Sequence, residues 1–251
     1  MIQNISSRKN SIVKHFREIS SDRDYRKEKK EFLCDGAKLL KEAIGSGAKV
    51  KTVLFAGEAP ENVPEGTEMY CCPMDIIEYV SPLKKSVGPL FTVEMDEEKK
   101  QAASEGILIL ENVQDPGNVG TVLRTSNAMG VGTVILTGDC ADVYNPKAVR
   151  ATMGAIFRQK VLYMGLEEMK AYVSEKGLKL YGAALSDTAR DIRDVEIEKA
   201  AVAIGSEGKG LSKEILELCD GCLIIPMEPG SESLNAGVAA SIVAWEMKRR
   251  R

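Results

Sequence analysis

The stretch that most constrains this chain runs from Leu223 to Trp245. Leu223 to Ile225 reads as a short buried strand, stopped by Pro226, whose ring fixes φ and removes a donor. The loop that follows holds two prolines, a glycine and two serines before Asn235. That composition fixes backbone turns and leaves several N–H groups outside regular structure. Behind it, Ala236 to Trp245 reads as a helix with Ala236, Gly237, Ala239, Ala240 and Ser241 clustered near its start. A glycine inside a helix costs about 1 kcal/mol against alanine. So dense a run of small side chains therefore requires something large packed closely against it.

At 251 residues the chain can hold one large domain or two modest ones. With 44% hydrophobic and 28% charged residues it has an ordinary globular composition. No apolar run approaches the roughly 18 residues of a membrane span, and the first ten residues have no apolar core of a signal peptide. A cytoplasmic protein is expected. The net charge of −3 argues against a generic nucleic-acid binder, but residues 1–30 carry nine Lys/Arg and four Asp/Glu, a local +5 on an acidic body. Such a basic end is equally an electrostatic footprint for nucleic acid or a solvated charged helix. The six cysteines include Cys219-Asp220-Gly221-Cys222 and the vicinal Cys71-Cys72. Both groups sit in strand-like runs, so buried reduced thiols account for them better than a zinc or redox site, and no metal is expected. His15, the one histidine, lies in the basic segment, away from any plausible triad.

Taken in order, residues 8–30 read as two helices broken at Ser20-Ser21-Asp22, with Asn10 or Ser11 as the first cap. Strands are expected at 32–34, 50–55, 69–72 and 90–94, and helices at 37–44 and 75–80. Residues 1–95 thus form a small α/β domain. Residues 96–105 are charged and almost without large apolar side chains, which suits a linker or a solvated helix end. From Gly106 strands and helices alternate, the signature of a parallel sheet. Strands are expected at 107–110, 133–136, 160–163, 179–184 and 201–204, and helices at 118–129, 146–156, 166–175 and 212–218, the last capped by Ser212.

Three polar, glycine-containing segments follow three of these strands: Glu111 to Thr125, Ala203 to Ser212 and the opening stretch. Ligands of open parallel sheets bind beyond the carboxyl ends of the strands, so the three loops are expected to share one site. Gly205 to Gly210 has glycines at its first, fourth and sixth places, which is not GxGxxG. Lys209 is followed by Gly210 rather than Ser or Thr, so the phosphate-loop pattern fails as well. A dehydrogenase or a kinase is disfavoured.

The three segments, with Asn118 and Arg124 in the first, Gly205-Ser206-Glu207 in the second and Ser233-Leu234-Asn235 in the third, resemble in order the signature motifs of the SpoU (TrmH) family of RNA ribose 2′-O-methyltransferases, in the SPOUT superfamily. Pro146 to Arg158 resembles a further segment of that family, and the likeness covers residues 106–249. Phe32-Leu33-Cys34-Asp35-Gly36 and Leu39 to Ala43 resemble its small RNA-binding domain. Two features depart from the family pattern. Ser86-Val87-Gly88-Pro89 stands where a Pro-Gln-Gly-like turn is common, and Asp35 where glutamate is commoner.

The resemblance implies an α/β catalytic domain over 106–251 with a deep trefoil knot, which sequence rules alone would exclude. It also implies a homodimer and bent S-adenosylmethionine in the knot loops. By position, Gly205, Ile225 and Leu234 would contact that cofactor, with Pro226 and Met227 shaping its pocket. Arg124 takes the family's catalytic arginine position, either as base or as electrostatic clamp, although a guanidinium is normally protonated. Asn118 and Asn235 would orient it and the ribose, with Glu207 and Ser233 holding that network. Arg124 lies six residues after Asn118 and is expected on about the same helix face. The implied substrate is ribosomal RNA, with transfer RNA or a catalytically inactive RNA-binding paralogue as the alternatives. Arg8, Lys9, Lys14, Arg17, Arg26 and Lys27 are the candidate phosphate contacts.

Overall fold

The computed structural model describes residues 2–83, 85–96, 106–228, 230 and 233–249. These fall into two compact units, one of residues 2–96 with Asp142–Phe157, the other of residues 106–141 with 158–249. All of the expected linker after Asp96 lies outside the described residues.

In the first unit, β1 (Ile2–Asn4), α1 (Ser11–Ser21), α2 (Arg23–Lys29), β2 (Glu31–Asp35), α3 (Ala37–Gly45), β3 (Val50–Phe55), β4 (Glu68–Cys71), α4 (Met74–Val80) and β5 (Leu90–Glu94) follow in order. The five strands form one sheet, β1-β4-β3-β5-β2, with β5 antiparallel to both neighbours and the other pairs parallel. Asn10 caps α1 by accepting from the Ile12 N–H at 2.8 Å. Asp22 ends that helix and caps α2, accepting from the Asp24 and Tyr25 N–H groups. Val13, Phe16 and Ile19 recur at helical spacing and bury the inner face of α1 against Leu33, Leu54 and Ile77. Asp35 pins the turn before β5, its two oxygens accepting from Ser81 Oγ at 2.5 Å and Ser86 Oγ at 2.6 Å. The shorter carboxylate thus still reaches the segment that departs from the family pattern.

The second unit is built on seven parallel strands: β6 (Ile107–Glu111), β7 (Thr133–Thr137), β8 (Lys160–Tyr163), β9 (Lys179–Ala183), β10 (Arg190–Asp191), β11 (Ala200–Ile204) and β12 (Gly221–Ile224). Their order is β10-β12-β9-β11-β6-β7-β8. Between and after them lie α5 (Pro116–Met129), α6 (Pro146–Ala151), α7 (Leu166–Glu175), α8 (Lys213–Leu218) and α9 (Ala236–Arg249). β6, β7 and β11 are buried along their whole length, as strands covered on both faces must be. Ser212 caps α8. The two short edge strands β1 and β10 were not expected. Neither has the apolar alternation that marks a half-buried strand, and β1 is exposed throughout.

Residues 142–157 correct the expected layout twice. They pack with the first unit rather than with the 106–251 domain, and α6 stops at Ala151 instead of continuing to 156. Met153 (φ 49°) and Gly154 (φ 91°) turn the chain left-handed before a short 3-10 turn over Ala155–Phe157. A side chain at 154 would also come within 3.0 Å of Glu42 Cβ. The anchor is Arg26. Its Nε and Nη2 donate to Asp142 Oδ2 at 3.1 and 2.7 Å, and its Nη1 donates to the Ile19 carbonyl at 2.8 Å. Phe32 adds ring contacts to Tyr144 at 4.8 Å and Phe157 at 6.2 Å. Arg26 is only 3% exposed, so its expected role as a phosphate contact is overturned: the guanidinium is consumed inside the fold.

Removing one member of a buried ion pair strands the other, at a cost of about 3 kcal/mol or more. Asp142→Ala should lower stability by that order in equilibrium urea unfolding. Arg26→Met combined with Asp142→Leu should lose less than half as much.

Candidate active site

Three loops leave the carboxyl ends of β6, β11 and β12, and one carboxylate draws them together. Asp115 caps α5, its Oδ1 accepting from the Asn118 N–H at 2.9 Å, and so fixes Asn118 in the first turn. Asn118 Nδ2 donates to Glu207 Oε1 at 2.8 Å. Asn235 Nδ2 donates to Asn118 Oδ1 at 3.1 Å and also to Glu207 Oε1. The Ala236 N–H adds a donor to that same oxygen at 3.3 Å. Asn235 is itself the cap of α9, with Oδ1 accepting from the Val238 N–H at 3.2 Å. An anion at the start of a helix suits the partial positive charge of the unpaired N–H groups there.

The small residues of α9 now have a physical reason. A Cβ on Gly237 would stand 3.2 Å from Asn235 Oδ1 and 3.4 Å from Asn118 Oδ1, so a side chain would press on both amides. Further along, Ser241 Oγ bonds Thr125 Oγ1 at 3.1 Å and the Gly237 carbonyl at 2.7 Å, tying α9 to α5. The large object packed against the small-residue run is α5.

The loop after β11 folds back on itself, the Gly210 N–H donating to the Ser206 carbonyl at 2.8 Å. A Cβ on Gly205 would lie 2.1 Å from the Gly210 carbonyl carbon, so only glycine permits this curl. Its far end is held by Glu111, a residue to which the sequence reading gave no role. This carboxylate, 3% exposed, accepts from the Ser212 N–H at 2.7 Å and Ser212 Oγ at 2.5 Å. A charged residue ending the otherwise apolar Ile107-Leu108-Ile109-Leu110 was the available signal.

Beside the carboxylate cluster lies a cavity of about 370 Å³, within the roughly 300–1,000 Å³ typical of small-molecule sites. Gly205, Ile225, Met227 and Leu234 line it, as do Glu207 and Ser233. Apolar walls from Ile204, Leu211 and Leu223 suit a flat aromatic ring. Pro226 departs from expectation: it is exposed and not among the lining residues. Ser233 lines the cavity without joining the carboxylate cluster.

Arg124 also departs from expectation. Six residues at about 3.6 per turn leave a side chain roughly 120° around the helix from its starting point, not on the same face. Asn118 turns to Glu207, whereas Arg124 is exposed and has no hydrogen bond or ion pair among the described residues. The second Cys-x-x-Cys residue lies in β12. Burial, and then the neighbouring Cys222, push the Cys219 thiol up to about 12, so it is protonated and inert at neutral pH.

Comparison with known proteins reaches the whole chain. The sequence profile of the SpoU rRNA Methylase family matches residues 105–245, and that of the MRM3-like substrate binding domain matches residues 10–88. The chain is 31% identical over 249 residues to the 23S rRNA (guanosine(2553)-2′-O)-methyltransferase RlmP of Bacillus subtilis, covering 98% of this chain and 100% of that one. Among solved structures, the AdoMet-bound rRNA methyltransferase of Sinorhizobium meliloti superposes with a TM-score of 0.88 at 25% identity, covering 99% and 98% of the two chains. The SpoU methyltransferase AviRb of Streptomyces viridochromogenes, in complex with AdoMet, gives 0.85 at 25% identity, covering 97% and 98%.

Glu111→Ala should leave the Ser212 N–H without its buried acceptor, a loss of about 1–3 kcal/mol. Hydrogen exchange should then accelerate at the amides of residues 205–212 while those of β6 and β7 remain protected.

Proposed function

The chain belongs to the SpoU rRNA methylase family, and on that footing we propose that it methylates a ribose 2′-hydroxyl of ribosomal RNA in the cytoplasm. The observation that carries this reading is the Glu207 carboxylate holding Asn118 and Asn235 at the rim of a cavity of cofactor size. The full-length likeness to a 23S rRNA methyltransferase and the substrate-binding match at 10–88 support ribosomal RNA as the substrate.

S-adenosylmethionine, when bound, supplies a methyl group already activated by the positive sulfur. The cavity fits it in volume and in chemistry: Ile225, Leu234 and Met227 offer apolar surface, and Gly205 keeps the curled loop open at the wall. Asn118 and Asn235, fixed by Glu207, would orient the ribose and its 2′-hydroxyl for attack. Such alignment alone is worth several kcal/mol. Arg124 stabilises the oxygen as it becomes an alkoxide. Its guanidinium acts as a fixed cation rather than a base, and the proton is released to solvent.

Arg124 is exposed and has no hydrogen bond or ion pair among the described residues of its own protomer, which fits a site completed across a homodimer. On α9, Val238 and Trp245 are 47% and 55% exposed and half-buried Ile242 lies between them, an i, i+4, i+7 stripe that invites a second copy. The deep knot belongs to the same proposal. It is supported by the way α9 returns to α5 and β11 after the chain has left β12 on the far side of β9.

Arg124→Ala should abolish methyl transfer to ribosomal RNA in single-turnover assays while calorimetric titration of S-adenosylmethionine changes less than about threefold, because an interaction made only in the transition state is lost. Poor cofactor binding by that variant would move Arg124 to the cofactor site, and normal turnover would return it to the inert surface. Gly205→Ala should do the reverse, weakening cofactor binding first. Sedimentation should give about twice 27.3 kDa. Trp245, the single tryptophan, should shift its emission to the red when the dimer is diluted apart. An active protein that stays monomeric would overturn the dimer.

A further inference from the structure

On the first unit, two arginines from different segments converge on one exposed ring. The Arg8 guanidinium carbon lies 4.8 Å, and that of Arg17 4.7 Å, from the centroid of Tyr79, whose side chain on α4 remains 39% exposed. Each is also fixed by hydrogen bonds. Arg8 Nη2 donates to Asp75 Oδ2 at 2.8 Å, and Arg17 Nη1 donates to the Tyr79 carbonyl at 2.9 Å. Asp75 balances the charge of Arg8, but Arg17 has no carboxylate partner among the described residues. Lys14, one helical turn before Arg17, and Lys9 beside Arg8 are both exposed.

Folding gains little from holding two like charges on one solvent-facing ring. Cation–π contacts at exposed sites are weak, and with Asp75 balancing only Arg8 the positive charge of Arg17 is left uncompensated beside it. What the arrangement does supply is order: two planar guanidinium forks, already oriented, on an aromatic platform. Arginine planes and aromatic rings are the surfaces on which unpaired RNA bases stack, and the remaining N–H groups match phosphate oxygens.

From this geometry we infer that Arg8, Arg17 and Tyr79 form a contact for single-stranded RNA, with one nucleobase stacked on the ring–guanidinium assembly and an adjacent phosphate taken by Arg17. Asp75 acts as a positioning residue that keeps Arg8 over the ring. The inference rests on the RNA-methyltransferase reading and deepens it by naming where the substrate is gripped away from the reacting ribose. It also narrows the six basic residues of the amino-terminal segment: the grip belongs to the pair that shares an aromatic ring, and Arg26 has no part in it.

The test uses the full chain with two probes, a fluorescein-labelled twenty-nucleotide oligouridylate and deproteinised ribosomal RNA. Tyr79→Ala and Arg17→Ala should each weaken binding of both by about fivefold or more. Arg17→Ala should also lower the slope of log affinity against log salt by about 0.7, the loss of one phosphate contact. Tyr79→Phe keeps the ring and should bind like the parent, and Lys179→Ala removes an exposed positive charge on the second unit as the control. Cofactor titration and thermal unfolding report whether each variant is folded; if Tyr79→Ala is not, the Arg17→Ala slope decides alone. Binding within twofold of the parent for both variants would overturn the contact while leaving the methyltransferase reading intact. So would competition by polyglutamate as strong as that by RNA, which would assign the patch to acidic polypeptides. A parent protein that binds cofactor yet neither binds nor methylates RNA would overturn the functional reading itself, and this contact with it.

Discussion

The loops at the carboxyl ends of β6, β11 and β12 are gathered by one carboxylate. Glu207 Oε1 accepts from Asn118, Asn235 and the Ala236 N–H, and these donors come from segments that follow two different strands. Without that acceptor Asn118 and Asn235 would keep only their bond to each other, and the loop after β11 would lose its tie to both. The concentration of donors on one oxygen explains why the neighbourhood tolerates so little bulk. Gly237 must be bare for the amides to approach, and Gly205 for the loop that carries Glu207 to curl. Glu111 closes the arrangement from below by tying the end of β6 to the cap of α8.

Much of this was legible in the amino-acid sequence, and the reasons are local. Alternating apolar strands and capped helices after Gly106 announce a parallel sheet, and β8 and α7 begin and end where their patterns do. Asn118, Glu207 and Asn235 were recognisable because their motifs stand in order, and hydrogen bonds join all three. What could not be read is what depends on the third dimension. Nothing near Arg26 in the sequence announces that a residue 116 positions later will consume its charge. Helical spacing alone should have separated Arg124 from Asn118, since six residues fall short of two turns. Pro226 marks the end of its strand but is exposed and takes no part in lining the cavity, a matter of how the loop turns that the residue type alone does not decide.

The first unit divides its arginines by burial. Arg26 is drawn inside and holds residues 142–157 to the helices at the start of the chain, whereas Arg8 and Arg17 stay outside on a ring. Composition gives all of them the same charge and the same apparent purpose. Position then assigns one to cohesion and leaves two facing solvent, so the local excess of positive charge overstates what is presented to a partner. Residues 142–157 illustrate a related point. They resemble a family segment in the sequence between two site motifs, yet they fold with the unit that precedes those motifs.

Asn235 has two occupations at once. Its Oδ1 terminates the backbone of α9, and its Nδ2 belongs to the polar cluster at the cavity. The first turn of a helix is ordinarily the part that frays most readily, opening and closing far more often than the domain unfolds. Here each such opening would also withdraw an amide from the cluster, so the cluster is only as persistent as the helix end. The linkage runs in both directions: any occupant that favours the assembled cluster must also hold the helix closed. A short stretch of backbone, Ala236 to Ala239 at the cavity wall, is thereby made to register whether the cavity is filled, and its protection becomes a measure of occupancy.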